Sequence, residues 1–346
     1  MSTVSAVTIH PLRGIPEVVA GAQLGRLIRA ALDDVGLVLA DGDVIVVSSK
    51  IVSKAQGLRA PVAERDAIVR HQSRRVVAER RTPSGTTRVV EALAGPVMAG
   101  AGIDASNTGA EDGLLLLPAD PDLAARQLYA ELLTAYAPQP LPRLGIVITD
   151  TAGRPWRAGQ TDFALGACSV EVLDDLRGAV DADGRALAVT ARAVADEIAA
   201  AADLVKGKSS GVPAALVRGL PDGTVSHPGA AGARTLVRSG PSDWFALGAA
   251  EAVRSALGVE PGSPAADQVG VASVTGEPYA ERLARAIRLA LHGEGEASVE
   301  LPAPETGSAT LTVRAADPFI AGRICARLEV ALASEQLGGL VVTPTG

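Results

Sequence analysis

Long apolar runs, basic tracts and a secretory leader are all missing from this chain of 346 residues. No apolar stretch reaches the ~18–20 residues that a membrane span needs, and the first residues lack the basic and apolar segments of a signal peptide. The net charge of −7 argues against nucleic-acid binding but leaves room for a phosphorylated small molecule. We therefore expect a globular cytoplasmic protein that acts without a membrane or a nucleic acid.

Cysteine and histidine are too few and too scattered for a metal centre built from those two residue types. Cys168 and Cys325 lie far apart and lack metal-ligand spacing, so we expect both to be small buried side chains in a reducing compartment. The four histidines form neither an HxH nor an HExxH pattern. A histidine-rich zinc site is therefore not expected.

Lysine is scarce, since it accounts for four of the 32 basic residues, and it occurs in two short segments. SSKIVSK contains Lys50 and Lys54, and VKGKSS contains Lys206 and Lys208. An ammonium group is a compact point charge suited to phosphate oxygens, so we expect at least one lysine of each pair to have a binding role. The serines before Lys50 could either help to bind an anion or cap a helix.

A buried strand is predicted at Leu144–Ile148, and it leads directly to Asp150 and Thr151. Open α/β sheets often bind ligands where such strands end. We predict that a loop follows, in which Arg154 and Arg157 could clamp a phosphate or a carboxylate. The alternative is a polar connection with solvated charges.

Residues 99–113 form a second polar segment flanked by small residues. Asp104 and Asn107 could supply oxygen ligands or nucleotide contacts, or they could form an Asx-type turn. Together with Asp150 and Thr151, Asp104 suggests a site for one or two divalent cations that bind phosphates.

The second lysine pair lies in a segment that imitates a P-loop. Gly207-Lys208-Ser209 matches the end of G-x-x-x-x-G-K-[ST], but Ala202 stands where the first glycine is required. The segment also follows a predicted helix and precedes a predicted strand, which is the reverse of a P-loop. We reject a P-loop and still expect the glycines to expose backbone N–H groups to phosphate.

The hydrophobic pattern predicts an α/β protein with a catalytic domain at 1–257, a linker at 258–272 and a small domain at 273–346. The small domain is predicted to be α-β-β-α-β, from a helix at 279–291 to a strand at 339–343. It contains no lysine and no glycine-rich loop, so we expect no catalysis there.

Two further predictions concern charged and aromatic residues of the first domain. We expect a charged helix over 61–82 whose arginines form a solvated face. We also expect helices over 229–239 and 243–257, with Trp244 and Phe245 in the core.

Five segments, in this order and spacing, resemble the coenzyme F420-0:L-glutamate ligase, or γ-glutamyl ligase, family: VVSSKIVSKAQG, AGIDASN, VITDTAGRPWRAGQTDFALG, VADEIAAAADLVKGK and GVPAALVRGL. The resemblance covers roughly residues 5–255. It implies a GTP-dependent acid–amino-acid ligase that adds L-glutamate to F420-0, then further γ-linked glutamates, and releases GDP and phosphate. It also implies Mg²⁺ or Mn²⁺, two per site, assistance by K⁺, and a two-part α/β fold in an intertwined homodimer.

Site residues follow from the resemblance, position by position. The implied metal ligands are Asp104, Asp150 and Thr151. The implied nucleotide contacts are Gly14, Ile15, Pro16, Glu17, Ser49, Lys54, Asn107, Gly207, Lys208, Ser209, Ser210 and Gly211. Some relatives carry an acidic or amide ligand of the second metal at the position of Lys208, so that ligand is in doubt here and Lys208 could supply positive charge instead.

The resulting hypothesis is transfer of the γ-phosphoryl group of GTP to the F420-0 carboxylate, followed by attack of the glutamate amine. Asp150 and Lys208 would act on the phosphoryl group, and Arg154 and Arg157 would hold the acceptor or the glutamate. Two alternatives stay open: a GTP-dependent amide ligase for another carboxylate, and an inactive nucleotide-binding regulatory protein. Some relatives carry a flavin-binding nitroreductase-like domain, but the C-terminal segment is too short for one, so no FMN is expected.

Overall fold

Helices and strands alternate along the chain, as expected for a mixed α/β protein. A computed structural model describes residues 6–83, 85–109, 113–238, 243–301 and 309–345. The helices are α1 (Leu24–Asp34), α2 (Ser49–Ala55), α3 (Arg65–His71), α4 (Pro121–Tyr136), α5 (Val194–Lys206), α6 (Ala249–Ala256), α7 (Pro264–Val269), α8 (Tyr279–Leu291) and α9 (Pro318–Ser334). Within the described ranges, none of the helices combines the length and the apolar composition of a membrane span.

Most strands are short, and two long ones form a hairpin. The strands are β1 (Thr8–Pro11), β2 (Val44–Ser48), β3 (Arg59–Ala60), β4 (Ser73–Thr82), β5 (Gly85–Ala92), β6 (Val97–Ala99), β7 (Leu114–Leu115), β8 (Gly145–Arg154), β9 (Arg157–Cys168), β10 (Asp174–Asp175), β11 (Ala191–Arg192), β12 (Ala214–Arg218), β13 (Ala297–Glu300), β14 (Thr310–Ala315) and β15 (Val341–Pro344).

The chain divides into two compact units, each built from two segments. Unit 1 consists of Met1–Ser73 and Ala92–Ser239, and unit 2 of Arg74–Glu91 and Gly240–Gly346. The predicted boundary at 258–272 is therefore displaced from the observed division.

The centre of unit 1 is a five-stranded sheet in the order β1-β12-β2-β8-β9. Strands β2 and β8 run parallel, whereas the other neighbouring strands are antiparallel. Val44, Val46 and Val147 pack in one cluster with apolar residues of α5, and the intervening Ile45 and Ile146 are also fully buried. Burial on both faces explains why β2 and β8 read as continuous apolar runs rather than as alternating patterns.

Strand β8 continues past Asp150 to Arg154, and this corrects the prediction of a loop after Asp150. It pairs with β9 as a long hairpin in which Thr151 lies opposite Asp162. The turn contains Trp156, whose φ of 60° lies in the left-handed region. The sequence concealed this continuation because Thr149 to Gly153 is polar and small, which is typical of loops.

The predicted charged helix over 61–82 is wrong. Helical structure there is limited to α3 and a short 3₁₀ turn at Val62–Glu64, and the arginine-rich remainder forms β4, which pairs with β5. Val77 and Glu79 are buried on alternate positions of β4, which is the period of a strand. The arginines are paired rather than simply solvated: Arg75 contacts Glu91 at 2.8 Å, and Arg80 contacts Glu251.

The expectations for residues 229–257 are met only in part. In the described part of that segment, a single turn at Ala233–Leu236 replaces the first predicted helix, and the second is present as the shorter α6. Trp244 is 84% exposed and Phe245 is 59% exposed, so neither lies in the core. Aromatic residues are usually buried, but the hydrophobic pattern around this pair is too weak to fix which face they occupy.

The α-β-β-α-β order of the C-terminal segment is confirmed by α8, β13, β14, α9 and β15. Strand β14 pairs antiparallel with β13 and parallel with β15. The predicted linker, however, contains α7, and its residues Val259 and Ala266 are buried in the same core as Leu283 and Ile324. These apolar side chains make the segment part of unit 2 rather than a flexible connection.

Buried charged groups of unit 2 form ion pairs within each chain segment, and Glu251 joins the two segments. Glu79 of β4 pairs with Arg88 of β5, and Glu251 of α6 accepts hydrogen bonds from β4. In α8, Arg285 bridges Glu277 at 2.6 Å and Glu335 at 2.5 Å. Such groups are costly to bury alone, so each depends on its partners.

We expect Arg285→Met to destabilise the protein by about 3 kcal/mol, because Glu277 and Glu335 would lose their shared buried cation and keep only the longer contacts with Arg81 and Arg254. The matched control is Arg314→Met, which removes a half-exposed pair with Glu300 and should cost less than about 1 kcal/mol. Urea unfolding measures both. Equal losses in the two variants would contradict the assigned role of Arg285.

Candidate functional site

A cavity of about 590 Å³ opens in unit 1 where β2 and β8 end. Its volume lies within the range of small-molecule sites. The walls come from five places: the N-terminal segment 15–18, the junction of β2 and α2, residues 107–109, the hairpin β8–β9, and the segment 203–213. A second cavity of about 600 Å³ also lies in unit 1, but it is lined by no lysine.

All four lysines of the chain line the first cavity. Three of them form ion pairs: Lys50 with Asp104 at 2.6 Å, Lys54 with Glu17 at 2.5 Å, and Lys206 with Asp162 at 2.6 Å. In the part of the chain that the structure describes, Lys208 has no such partner. The two lysine pairs that the sequence separates by some 150 residues therefore meet at one site.

Two carboxylates of the cavity wall, Asp203 and Asp150, form no ion pair with a lysine or arginine among the described residues, and Asp150 is the more deeply buried. Burial raises its pKa to about 7, and the nearby charges of Asp162 and Asp104 act in the same direction. The N–H of Thr151 and the charge of Lys50 lower the pKa, but they do not compensate for burial. A desolvated carboxylate of this kind is a good ligand for a cation supplied from outside.

Asp104 lies beside the cavity rather than in its wall, and it holds Lys50, which does line it. Burial opposes ionisation of Asp104, but hydrogen bonds from Lys50 and Ser106 outweigh that effect and lower its pKa. The N–H of Ser106 donates to Oδ1 of Asp104 at 2.7 Å, so the Asx-type turn considered above is also present. Asn107 adopts a φ of 54° and donates to the carbonyl of Lys208 at 3.3 Å.

Asp162 and Lys206 form a buried pair at the base of the cavity. Asp162 accepts hydrogen bonds from the hydroxyls of Thr149, at 2.8 Å, and Thr151, at 2.7 Å. Lys206 also donates to Thr149 at 2.7 Å. Burial would raise the pKa of Asp162, but the ammonium of Lys206 and these hydrogen bonds hold it below the usual range.

Asp162 is not among the site residues predicted from the sequence, and the lysine predicted to be catalytic is Lys208 rather than the buried Lys206. The signal for Asp162 was present in the segment GQTDF, but only the hairpin register puts it opposite Thr151. The signal for Lys206 was its position at the end of α5, where α5 packs against β9. Both signals depend on pairing that is distant in the sequence.

The structure brings many of the predicted nucleotide contacts to the cavity wall and leaves others outside it. In the wall are Ile15, Pro16, Glu17, Lys54, Asn107, Gly207, Lys208, Ser209 and Gly211. Outside the wall are Gly14, Ser49 and Ser210. The segment 207–211 follows α5 and precedes β12, so the rejection of a P-loop is confirmed.

Arg154 and Arg157 lie at the exposed tip of the β8–β9 hairpin and do not line the cavity. Asp150 and Thr151 do line it, and they lie three or more residues from that tip. The two arginines and Asp150 therefore lie at different parts of the β8–β9 hairpin.

The residues around Asp150 fit one divalent cation. The described residues contain no group of three or more His, Cys, Asp or Glu side chains arranged for a metal ion. Mg²⁺, however, commonly takes one or two carboxylates and completes its shell with substrate phosphates and water. Asp150, with Asp104 nearby, supplies that minimal set, provided that Lys50 releases Asp104.

A family model described as F420-0:gamma-glutamyl ligase matches residues 14–219. Relatives named coenzyme F420:L-glutamate ligase occur in several archaea. The one from Halobacterium salinarum is 38% identical over 226 residues, which is 59% of this chain and 84% of the relative. The one from Methanothermobacter thermautotrophicus is 36% identical over 263 residues, 69% of this chain and 98% of the relative. Part of this chain therefore has no counterpart in that protein.

We expect Asp150→Asn to stabilise the protein at pH 8 in the absence of divalent cations. The folded-state pKa of about 7 exceeds the unfolded value, so ionising Asp150 costs folding free energy. The penalty is absent below about pH 4, grows as the pH rises, and is complete above pH 7. At about 1.4 kcal/mol per pKa unit, the gain at pH 8 is on the order of 2–4 kcal/mol.

Thermal unfolding between pH 4 and pH 8 measures this gain. The matched control is Asp41→Asn, because the pKa of the exposed Asp41 is lowered by hydrogen bonds from Arg143 and the variant should lose stability instead. A pH-independent effect of Asp150→Asn would contradict the assigned burial penalty.

Proposed function

The chain belongs to the F420-0:gamma-glutamyl ligase family, and from that premise we propose that it joins L-glutamate to coenzyme F420-0 at the expense of GTP. One observation carries the proposal: all four lysines of the chain converge on one cavity that also contains the unpaired carboxylate Asp150. A site so rich in ammonium groups suits a polyphosphate. The names of the archaeal relatives support glutamate and F420 as the substrates.

GTP binds in the lysine-lined cavity, with its phosphates towards the segment 207–211. Gly207 and Gly211 have φ values of 61° and 66°, a conformation in which a loop can turn backbone N–H groups towards an anion. The N–H of Gly207 itself donates to the carbonyl of Asp203, so the N–H groups that follow it are the ones available. Lys208 is the lysine without a carboxylate partner in the described chain, so it can approach phosphate at no electrostatic cost. Lys54 and Lys50 join it by exchanging Glu17 and Asp104 for phosphate oxygens.

Asp150 and Asp104 would hold a Mg²⁺ or Mn²⁺ ion, which when bound neutralises the charge that develops on the phosphoryl oxygens. Lys50 must leave Asp104 for this set to form. Its ammonium then lies free beside the phosphates, so the positive charge is kept within the site.

The reaction has two steps. A carboxylate oxygen of F420-0 attacks the γ-phosphorus, the bond to the β-phosphate oxygen breaks, and GDP leaves. The amine of glutamate then attacks the acyl carbon, phosphate leaves with the bonding electrons, and a proton passes to solvent. Lys208 and Lys54 stabilise the phosphoryl oxygens, and the cavity orients the reacting groups.

The acceptor and the incoming glutamate extend from the cavity along the β8–β9 hairpin. Arg154 and Arg157 are exposed there, and a guanidinium can bind a carboxylate with two parallel hydrogen bonds. The cavity alone is of a size for one nucleotide, so a second substrate needs a neighbouring surface of this kind. A homodimer, which the family resemblance implies, would give the hairpin a partner copy, and sedimentation measures that state.

We expect Asp150→Ala to reduce ligation by about 100-fold or more, because the cation would lose its principal carboxylate. Mass spectrometry of the products formed from GTP, L-glutamate, F420-0 and Mg²⁺ measures the rate. The matched control is Asp41→Ala, which removes an exposed carboxylate of the same unit. A near-normal rate in Asp150→Ala would refute the site.

We expect Arg154→Ala to raise the KM for glutamate or F420-0 by about 10-fold, since a charge-assisted hydrogen bond contributes about 1.5–3 kcal/mol. The KM for GTP should not change. Steady-state kinetics with each substrate varied in turn measures this, and Arg143→Ala is the control on the same unit. A variant that weakens GTP alone would rule out a role in binding the acceptor or the glutamate.

A further inference from the structure

We propose that the ammonium of Lys206 takes the place of a second divalent cation, so that the site holds one metal ion rather than the two that the family resemblance implies. This inference rests on the proposed function, because it concerns the same phosphate-binding cavity. The observation behind it is the junction of Lys206, Asp162 and Thr151 at the base of that cavity.

The strand geometry separates two ligand positions. Successive side chains of a strand point to opposite faces, so Thr149 and Thr151 project on one side of β8 and Asp150 on the other. Thr149 contacts Lys206 at the end of α5, which identifies its side of the sheet. A cation bound through Thr151 would therefore lie on the Lys206 side, away from the ion held by Asp150.

Two carboxylates lie on the Lys206 side, and both have ammonium groups as neighbours. The charges of Lys206 and Lys208 act on Asp203 of α5, and both oxygens of Asp162 are already hydrogen-bonded. One oxygen of Asp162 accepts from Thr151, and the other accepts from both Thr149 and Lys206. Asp162 is 5% exposed and Lys206 is 3% exposed, so water cannot replace either partner. The carboxylate and the ammonium compensate each other, and a buried pair of this kind is costly to break.

A divalent ion at Thr151 would also meet repulsion. Lys206 carries one positive charge beside that position, and the charge of Lys208 also acts on Asp203. Thr151 itself offers only a neutral hydroxyl, which is a weak ligand when the carboxylate opposite it is already hydrogen-bonded. On the opposite side, Asp150 has no basic partner among the described residues. The asymmetry leaves one position for a metal ion and fills the other with lysine.

The functional consequence is a fixed positive charge. A lysine held by Asp162 and Thr149 needs no exchange with solution, so that charge stays in the cavity at any concentration of metal ion. Only the Asp150 side would then depend on the supply of Mg²⁺ or Mn²⁺.

The first test counts Mn²⁺ ions bound to the full chain with saturating GDP, by electron paramagnetic resonance of free Mn²⁺. We expect one tightly bound ion per chain. Two ions of similar affinity would overturn the inference and leave the proposed function intact. Absence of any bound ion would instead contradict the proposed site at Asp150.

The second test removes the ammonium. We expect Lys206→Met to bind a second Mn²⁺, because Asp162 regains a free oxygen, and added Mn²⁺ should raise its melting temperature more than that of the unaltered protein. The matched control is Lys208→Met, which also removes one charge but leaves Asp162 paired, and it should still bind one ion. A single ion in Lys206→Met, or a second ion in Lys208→Met, would overturn the role of Lys206.

If Lys206→Met does not fold, Lys206→Arg tests the same point, since a guanidinium keeps the charge and should keep one ion. Two ions in Lys206→Arg would contradict the inference. The count in the unaltered protein decides the matter independently of either variant.

Discussion

The parallel pairing of β2 with β8 is the constraint on which the site depends. Because both strands end at the same edge of the sheet, the residues after β2 and those in the second half of β8 are brought to one place. Strand β12 runs antiparallel to β2, so the segment before it arrives at the same edge. The hairpin then adds Asp162 opposite Thr151. Much of the cavity wall is thus brought together by the directions of four neighbouring strands.

Charge balance explains why so many carboxylates accompany so few lysines. Four ammonium groups in one small cavity would repel each other strongly if they were left alone. Glu17, Asp104 and Asp162 each neutralise one of them, and this keeps the empty site stable. A triphosphate brings more negative charge than Lys208 can compensate, so binding requires either exchange of these pairs or an added cation. Both routes favour a nucleotide that arrives with a metal ion.

Local patterns were sufficient to predict the elements whose cores are continuous in the sequence. The strands β2 and β12, the helices α1, α4 and α5, and the whole C-terminal order follow from apolar spacing. The failure over residues 61–82 has its cause in tertiary contacts. The sequence of β4 is typical of a charged surface. It forms a strand because Glu79 pairs with Arg88, and Arg80 pairs with Glu251, which lies some 170 residues away. Tertiary contacts of this kind override local propensity.

The sequence was sufficient to predict many residues of the candidate site, but not which of them form pairs. The scarcity of lysine pointed to the four residues that line the cavity. It could not distinguish Lys206 from Lys208, which have one residue between them and lie in opposite environments. Lys206 is enclosed at the end of α5, whereas Lys208 is exposed in the loop beyond it.

Asp150 and Asp162 make the same point for carboxylates. They lie near each other on paired strands, but burial raises the pKa of Asp150 to about 7, whereas Lys206 and the threonine hydroxyls lower that of Asp162. A single neighbouring ammonium therefore decides which of two aspartates is available to a metal ion. The sequence motif identifies the two aspartates, but only the fold shows that Lys206 lies beside Asp162.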